Sequence, residues 1–169
     1  IRGTIGGAPG DNLTPLDIVK FSAAYGAWLK SQHKKKARKS VVIGRDGRIS
    51  GAMVKDLVIS TLTALGIDVI DTDLSTTPTV EMAVTFLKAD GGIILTASHN
   101  PKEWNALKLL NSKGEFISAE DGRYILDTAE KEDFSFEPVD DLGTVTKDDT
   151  TIQKHIDAIV KYPLVKIKA

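Results

Sequence analysis

Apolar positions follow two alternating rhythms along this chain. Short runs rich in apolar residues, Val41-Val42-Ile43, Ile67 to Asp71 and Gly91-Gly92-Ile93-Ile94-Leu95, read as strands, the last a buried one over about 92–96. Between them, apolar residues recur at helical spacing. Thr14 can cap a helix, Pro15 suits its first turn, and Asp17 stands at the capping-box position. Ile18, Val19, Tyr25, Trp28 and Leu29 then carry that helix to about Gln32. Ser50 is placed to cap a second helix over about 51–65, with Gly66 as the residue just past its end. Thr76-Thr77-Pro78 opens a third, over about 79–88.

This β-α-β-α-β order predicts parallel strands, right-handed crossovers and helices on both faces. A further strand, Ala106 to Leu110, returns after only about ten residues, too few for a helical crossover, and should run antiparallel. Asn111 to Gly114 makes a tight turn into Glu115-Phe116-Ile117. Ser118 and Asp121 form a second capping box, opening a helix to about Ala129. Residues 131–148 are acidic and aperiodic and read as a surface loop, and Thr151 to Tyr162 reads as a last helix. The expected fold is α/β: a three-layer α/β/α sandwich around a mixed, mostly parallel sheet with one antiparallel strand.

Composition narrows the function classes. A chain of 169 residues suffices for one domain with a full core. Hydrophobic content of 41% and charged content of 27% are ordinary for a globular domain. A net charge of -1 gives no electrostatic case for nucleic acid or an anionic membrane. The absence of cysteine excludes disulfides, thiol catalysis and Cys-type zinc sites. No apolar stretch approaches the roughly 20 residues of a membrane span. The basic run Lys34 to Lys39 reads as a solvated helix end and loop, with a phosphate or nucleic-acid patch as the sharper reading. His33 and His155 read as ordinary surface or helix histidines, and Asp71-Thr72-Asp73 as strand-end carboxylates rather than a metal loop.

Two strand-end loops carry candidate chemistry, because open α/β sheets bind ligands at the carboxyl ends of their strands. Thr96-Ala97-Ser98-His99-Asn100-Pro101 presents a hydroxyl beside an imidazole. Ser98 can be a turn residue, a hydrolase nucleophile or a phosphoryl carrier. The Gly-x-Ser-x-Gly elbow of hydrolases is missing, as is the Walker pattern. A phosphoryl carrier needs nearby donors and cations, and His99, Asn100 and Lys108 are of those types. Gly44-Arg45-Asp46-Gly47-Arg48 offers two guanidiniums beside glycines, suited to phosphate or to an ion-paired surface turn.

Together these segments resemble the α-D-phosphohexomutases, the phosphoglucomutase, phosphomannomutase and phosphoglucosamine mutase group. Thr96 to Pro101 resembles that family's phosphoserine loop, and Gly44 to Gly51 its GRDGR-x-SG segment. Ile1-Arg2-Gly3 is similar to the tail of its N-terminal motif. Asn105-Ala106-Leu107-Lys108 is similar to its Asn-Gly-x-Lys segment, with Ala106 in place of the usual Gly. Pro101 to Leu110 is closest in character to bacterial and archaeal mutases of the phosphomannomutase or phosphoglucosamine mutase type.

The resemblance covers only the first of four domains. It implies domain I over residues 1–162, with 163–169 beginning a linker to domain II; the Asp-Gly-Asp-x-Asp-Arg magnesium loop of that second domain is absent. It further implies a cytoplasmic enzyme of carbohydrate metabolism, acting on a hexose or hexosamine phosphate through phosphorylated Ser98 and Mg²⁺. Ser98 would meet the metal through its phosphate, and domains II–IV would be the partners. His99, Lys108 and Arg2 would be catalytic, and Thr96, Asn100, Asn105, Arg45 and Arg48 would bind phosphate or substrate. Arg45 and Arg48 have a second reading, as braces of the loop or domain interface. The 169 residues alone are expected to be inactive. The alternative is a stand-alone, non-catalytic α/β module holding phosphate or a protein.

Overall fold

The structure, a computed structural model, describes residues 1–32 and 38–166. Its centre is a six-stranded sheet in the order β1-β5-β4-β2-β3-β6. The strands are β1 (Arg2–Thr4), β2 (Ser40–Arg45), β3 (Asp68–Leu74), β4 (Gly91–Leu95), β5 (Trp104–Leu110) and β6 (Val145–Lys147). β2 runs parallel to β3 and β4, and β3 parallel to β6. β5 is antiparallel to both its neighbours, β4 and β1. The expected mixed sheet with one reversed strand is therefore present. The carboxyl ends of β2, β3 and β4 share one edge, and the start of β5 joins them there.

The helices are α1 (Pro15–Gln32), α2 (Gly51–Ala64), α3 (Thr77–Phe86), α4 (Ala119–Lys131) and α5 (Thr151–Val160). α1, α2 and α4 cover one face. Ile18, Tyr25 and Leu29 of α1, Val54, Val58 and Leu62 of α2 and Ile125 of α4 meet Val41, Ile43, Ile93, Leu95, Leu107 and Leu109 from the sheet. The opposite face is a smaller core, where Val80, Ala83 and Val84 of α3 meet Val42, Ile94 and Leu110. α5 lies outside α3, tied to it by His155 Nδ1 and Thr79 Oγ1 at 2.9 Å. Alternating strand residues thus feed two cores, as period-two side chains require.

Helix starts follow the capping chemistry read from sequence, with one exception. Asp17 accepts from the Thr14 backbone and side chain at the head of α1. Burial opposes ionisation of Asp17, but the hydrogen bonds from Thr14 and Gly10 hold its carboxyl below the usual range. Thr76 caps α3 and Ser118 completes a capping box with Asp121 on α4. Asp121 also accepts from Trp28 Nε1 at 3.0 Å, so this cap ties α4 to α1. Gly66 follows α2 at φ +72°, the left-handed conformation glycine adopts without a Cβ clash. The exception is Ser50. It precedes α2 but makes no side-chain cap, because its hydroxyl accepts from Asn105 Nδ2 at 2.9 Å.

The segment 131–148 is more ordered than a surface loop. Glu137 and Gly143 donate backbone hydrogen bonds to Ala64 and Thr63, a short 3-10 turn spans Val139–Asp141, and β6 adds an edge strand. β1 also differs from expectation: Arg2-Gly3-Thr4 has no apolar period and forms a strand by pairing with Ala106, Asn105 and Trp104. Trp28 of α1 is buried, and Trp104 is half-buried at the start of β5. Of the basic run, Lys34 to Ala37 lie outside the described residues, as does His33. Arg38 donates to the Leu142 carbonyl, and Lys39 is buried beside Asp90. No helix among the described residues is long and apolar enough to cross a membrane.

Candidate active site

The loop after β4 is a tight turn. Asn100 N–H closes it on the Ala97 carbonyl at 3.1 Å, and Ser98 takes the second position at φ +56°. A left-handed backbone costs a non-glycine residue roughly 1–2 kcal/mol, and such residues persist where their surroundings over-determine them. Here both backbone groups of Ser98 are held by side chains. Its N–H donates to Thr96 Oγ1 at 2.9 Å, and its carbonyl accepts from Arg48 Nη2 at 2.9 Å. Thr96 itself is buried. Its hydroxyl therefore shapes the turn. The Ser98 and His99 side chains are exposed, and neither makes a hydrogen bond among the described residues.

The loop after β2 contrasts with it. Arg48 has five N–H donors, and all five are engaged. Nε meets Asp46 Oδ2 at 3.2 Å; Nη1 meets the carbonyls of Pro101 and Trp104 at 2.7 and 2.9 Å; Nη2 meets those of Ser98 and Asn100 at 2.9 and 2.8 Å. Its side chain is 10% exposed. Of its two expected roles, phosphate ligand and loop brace, this geometry is that of the brace. Asp46 also accepts from the Arg48 backbone N–H at 3.0 Å, fixing the base of the side chain.

Arg45 is directed away from the Ser98 loop. Its Nε meets Asp73 Oδ1 at 3.0 Å and its Nη1 the Asp46 carbonyl at 3.2 Å. Lys55 joins the group, with Nζ 2.7 Å from Asp71 and 3.1 Å from Asp73. Burial disfavours the Lys55 charge, but its hydrogen bonds to the two carboxylates outweigh that and hold its pKa above the usual lysine range. The Lys55 hydrogen bond holds the Asp73 carboxyl below its ordinary range, aided by the Arg45 charge. Asp71 and Asp73 are thus ion-paired. Among the described residues no group of three or more His, Asp or Glu side chains could hold a metal.

Asn105 is fully buried. Its amide donates to Ser50, and its Oδ1 accepts from Ala106 N–H at 2.8 Å. In this conformation it faces protein, not solvent. Together with Arg48 it joins the loop after β2 to the segment 98–105. Arg2 reaches the turn from β1, with Nη1 3.3 Å from Asn100 Oδ1. Asn100 therefore carries both a bracing contact through its backbone and a cation on its side chain. Lys108 is half-buried on β5, opposite Ile94 and two residues from the Ala106 that pairs with Arg2. Arg2 and Lys108 line an open cleft of about 400 Å³ with Leu109, Phe116 and Leu126. The Lys108 side chain makes no hydrogen bond or ion pair among the described residues.

The structure therefore brings Ser98, His99, Asn100, Thr96, Arg48 and Arg2 to one strand-end turn, keeps Lys108 on the neighbouring strand, and turns Arg45 and Asn105 to structural contacts. Asp46, Ser50 and Lys55 complete the supporting network, although the sequence singles them out only as a possible ion-pair partner, a cap and nothing at all. The arrangement can present a single unpartnered hydroxyl to an incoming group. It lacks the hydrolase constellation: among the described residues no carboxylate orients His99, and no base meets Ser98. A hard divalent cation takes oxygen ligands. At this turn the one exposed hydroxyl, that of Ser98, is a neutral and weak oxygen ligand.

Comparison with known proteins identifies the family of this fold. Residues 1–136 match the family described as phosphoglucomutase/phosphomannomutase, alpha/beta/alpha domain I. A phosphoglucomutase/phosphomannomutase of Thermococcus kodakarensis is 38% identical over 159 residues, which are 93% of this chain and 34% of that protein. A phosphoglucosamine mutase of Helicobacter acinonychis is 33% identical over 161 residues, covering 92% and 36%. Among solved structures, a phosphoglucomutase/phosphomannomutase family protein of Burkholderia thailandensis superposes with a TM-score of 0.78 at 25% identity, covering 95% of this chain and 34% of that one. The chain spans about a third of the length of these relatives. This chain belongs to the phosphoglucomutase/phosphomannomutase family and corresponds to its α/β/α domain I.

Proposed function

We propose that this chain is the phosphoserine-bearing domain of a hexose-phosphate mutase, which interconverts sugar 1-phosphates and 6-phosphates through a bisphosphate intermediate. The observation that carries the reading is the exposed, unpartnered Ser98 hydroxyl on a turn whose backbone is pinned on both sides, in a chain of this family. In the forward step the phosphorus–oxygen bond to Ser98 breaks as one to a sugar hydroxyl forms. The sugar hydroxyl loses its proton to a base, and Ser98 Oγ departs as the leaving group. After the bisphosphate reorients, its other phosphoryl group returns to Ser98.

Transfer of this kind depends on positioning and charge stabilisation more than on covalent work by the protein. Arg2 and Lys108 supply positive charge on one side of the turn. His99, exposed beside Ser98, is the imidazole available to bind phosphate or move a proton. Thr96 and Asn100 shape the turn through their side chain and backbone. Mg²⁺, met by the Ser98 phosphate and by carboxylates from outside these 169 residues, would neutralise charge on the transferring group. The substrates are hexose or hexosamine phosphates, and domains II–IV of one cytoplasmic polypeptide are the partners.

The test is a coupled assay of the full-length protein and of the 169-residue chain, on glucose, mannose and glucosamine phosphates in turn. The full-length protein should convert at least one of them between its 1- and 6-phosphates, and the 169-residue chain none. No turnover by the full-length protein on any of the three would overturn the mutase reading and favour a phosphate- or protein-binding module. Turnover by the 169 residues alone would overturn the inactivity of the isolated domain.

A further inference from the structure

We infer that Arg48 is a positioning residue for Ser98: held by Asp46, its guanidinium fixes the backbone of the turn and so the direction in which the Ser98 side chain leaves it. The inference rests on the reading of Ser98 as the phosphoryl carrier.

Four main-chain carbonyls, those of Ser98, Asn100, Pro101 and Trp104, converge on one guanidinium within 2.7–2.9 Å. A carbonyl cluster of this kind is self-repelling without a central cation, and only a planar group with a fork of fixed donors can satisfy all four. Arg48 has no donor left for a phosphate, so it acts on chemistry only through the turn. The lever is short. The Ser98 carbonyl bonded to Nη2 belongs to the residue at φ +56°, and its amide is held from the other side by Thr96 Oγ1. Releasing the carbonyl frees Ser98 to relax into the ordinary region of backbone space, which swings Cβ and Oγ. Displacement of a reacting atom by about 1 Å can cost about 10²-fold in rate.

Asp46 is the second part of the device. Its two carboxylate oxygens grip the Arg48 backbone N–H and Nε. This orients the guanidinium plane toward the carbonyls. Lysine at position 48 keeps the charge but cannot serve four acceptors at fixed angles, so it should not substitute.

The experiment uses the full-length protein with Arg48→Ala, Arg48→Lys and Asp46→Asn, read in two ways. The first is sugar-phosphate turnover, separated into kcat and KM. The second is amide hydrogen exchange at Asn100 and Trp104, whose N–H groups close turns within the braced segment. Arg48→Ala should lower kcat about 100-fold with KM changed less than about threefold. Arg48→Lys should restore little of it, and Asp46→Asn should show a milder loss of the same kind. Exchange at Asn100 and Trp104 should quicken in all three variants while amides of the α1, α2 and α4 core keep their protection. Unchanged kcat, rescue by lysine, or a loss confined to KM would overturn the inference, the last because it marks Arg48 as a substrate ligand. A wild-type protein without turnover would instead defeat the mutase reading. The exchange measurement would still decide whether Arg48 braces the turn, and unaltered protection at Asn100 and Trp104 would show that it does not.

Discussion

The loops after β2 and β4 stand side by side at the same edge of the sheet, yet they are built on opposite principles. In the loop after β2, every charged side chain is spent on the protein itself. Arg45 goes to Asp73, Asp46 to Arg48, and Arg48 to the neighbouring loop. In the loop after β4 the backbone is held and the side chains of Ser98 and His99 are left free to meet solvent. Residue type points the other way: the arginine-rich loop looks like the anion site. Partnership separates the two. A guanidinium with all its donors engaged is scaffold, and an unpartnered hydroxyl on a pinned, strained turn is available for chemistry.

The sharpest way to break this contrast is through activity. Ser98→Ala in the full-length protein should abolish mutase turnover, by at least about 10³-fold, measured in a coupled assay. An active Ser98→Ala enzyme would place the chemistry elsewhere. Stability should show the reverse asymmetry. Asn105→Ala leaves the buried Ala106 N–H without its acceptor and the half-buried Ser50 hydroxyl without its donor, and should cost about 1–3 kcal/mol in denaturant unfolding. Ser98→Gly should leave stability within about 0.5 kcal/mol, because relief of the left-handed backbone offsets the greater unfolded-state freedom of glycine. A cost above about 1.5 kcal/mol in the same measurement would reveal side-chain contacts at Ser98 that the structure does not contain.

The smallest effect is acid dependence. The Lys55 hydrogen bond depresses the Asp73 carboxyl relative to the unfolded chain. Its stabilising contribution is therefore complete above the unfolded value of about 4 and is lost as pH falls through the lower folded value. Asp73 is more than half exposed, so solvent screens most of that gain. Asp73→Asn should slightly flatten the fall in melting temperature below about pH 4. An identical acid limb in Asp73→Asn would show that the Arg45–Asp73–Lys55 group contributes nothing to the scaffold role of its loop.

Much of this was legible in the sequence where the cause is local. Thr14 with Asp17 and Ser118 with Asp121 are caps whose partners lie within one turn, and both form as read. The reversal of β5 follows from the short return after β4, a matter of chain length. Features with distant causes were not legible. β1 exists only because β5 offers it an edge, and β6 is an exposed edge strand with no apolar rhythm to announce it. Ser50 has the right chemistry for a cap but is claimed by Asn105, 55 residues away. Arg48 is the clearest case. Its residue type was conspicuous, but its acceptors are carbonyls, which every residue carries and no sequence pattern distinguishes.

The central claim, that Ser98 carries a phosphoryl group, is tested most directly by intact-mass measurement and peptide mapping of the full-length protein after incubation with a hexose bisphosphate. The account predicts one added phosphate per chain, on the peptide containing Ser98, lost on incubation with the hexose monophosphate. Phosphate on another residue, or none with a catalytically active protein, would contradict it.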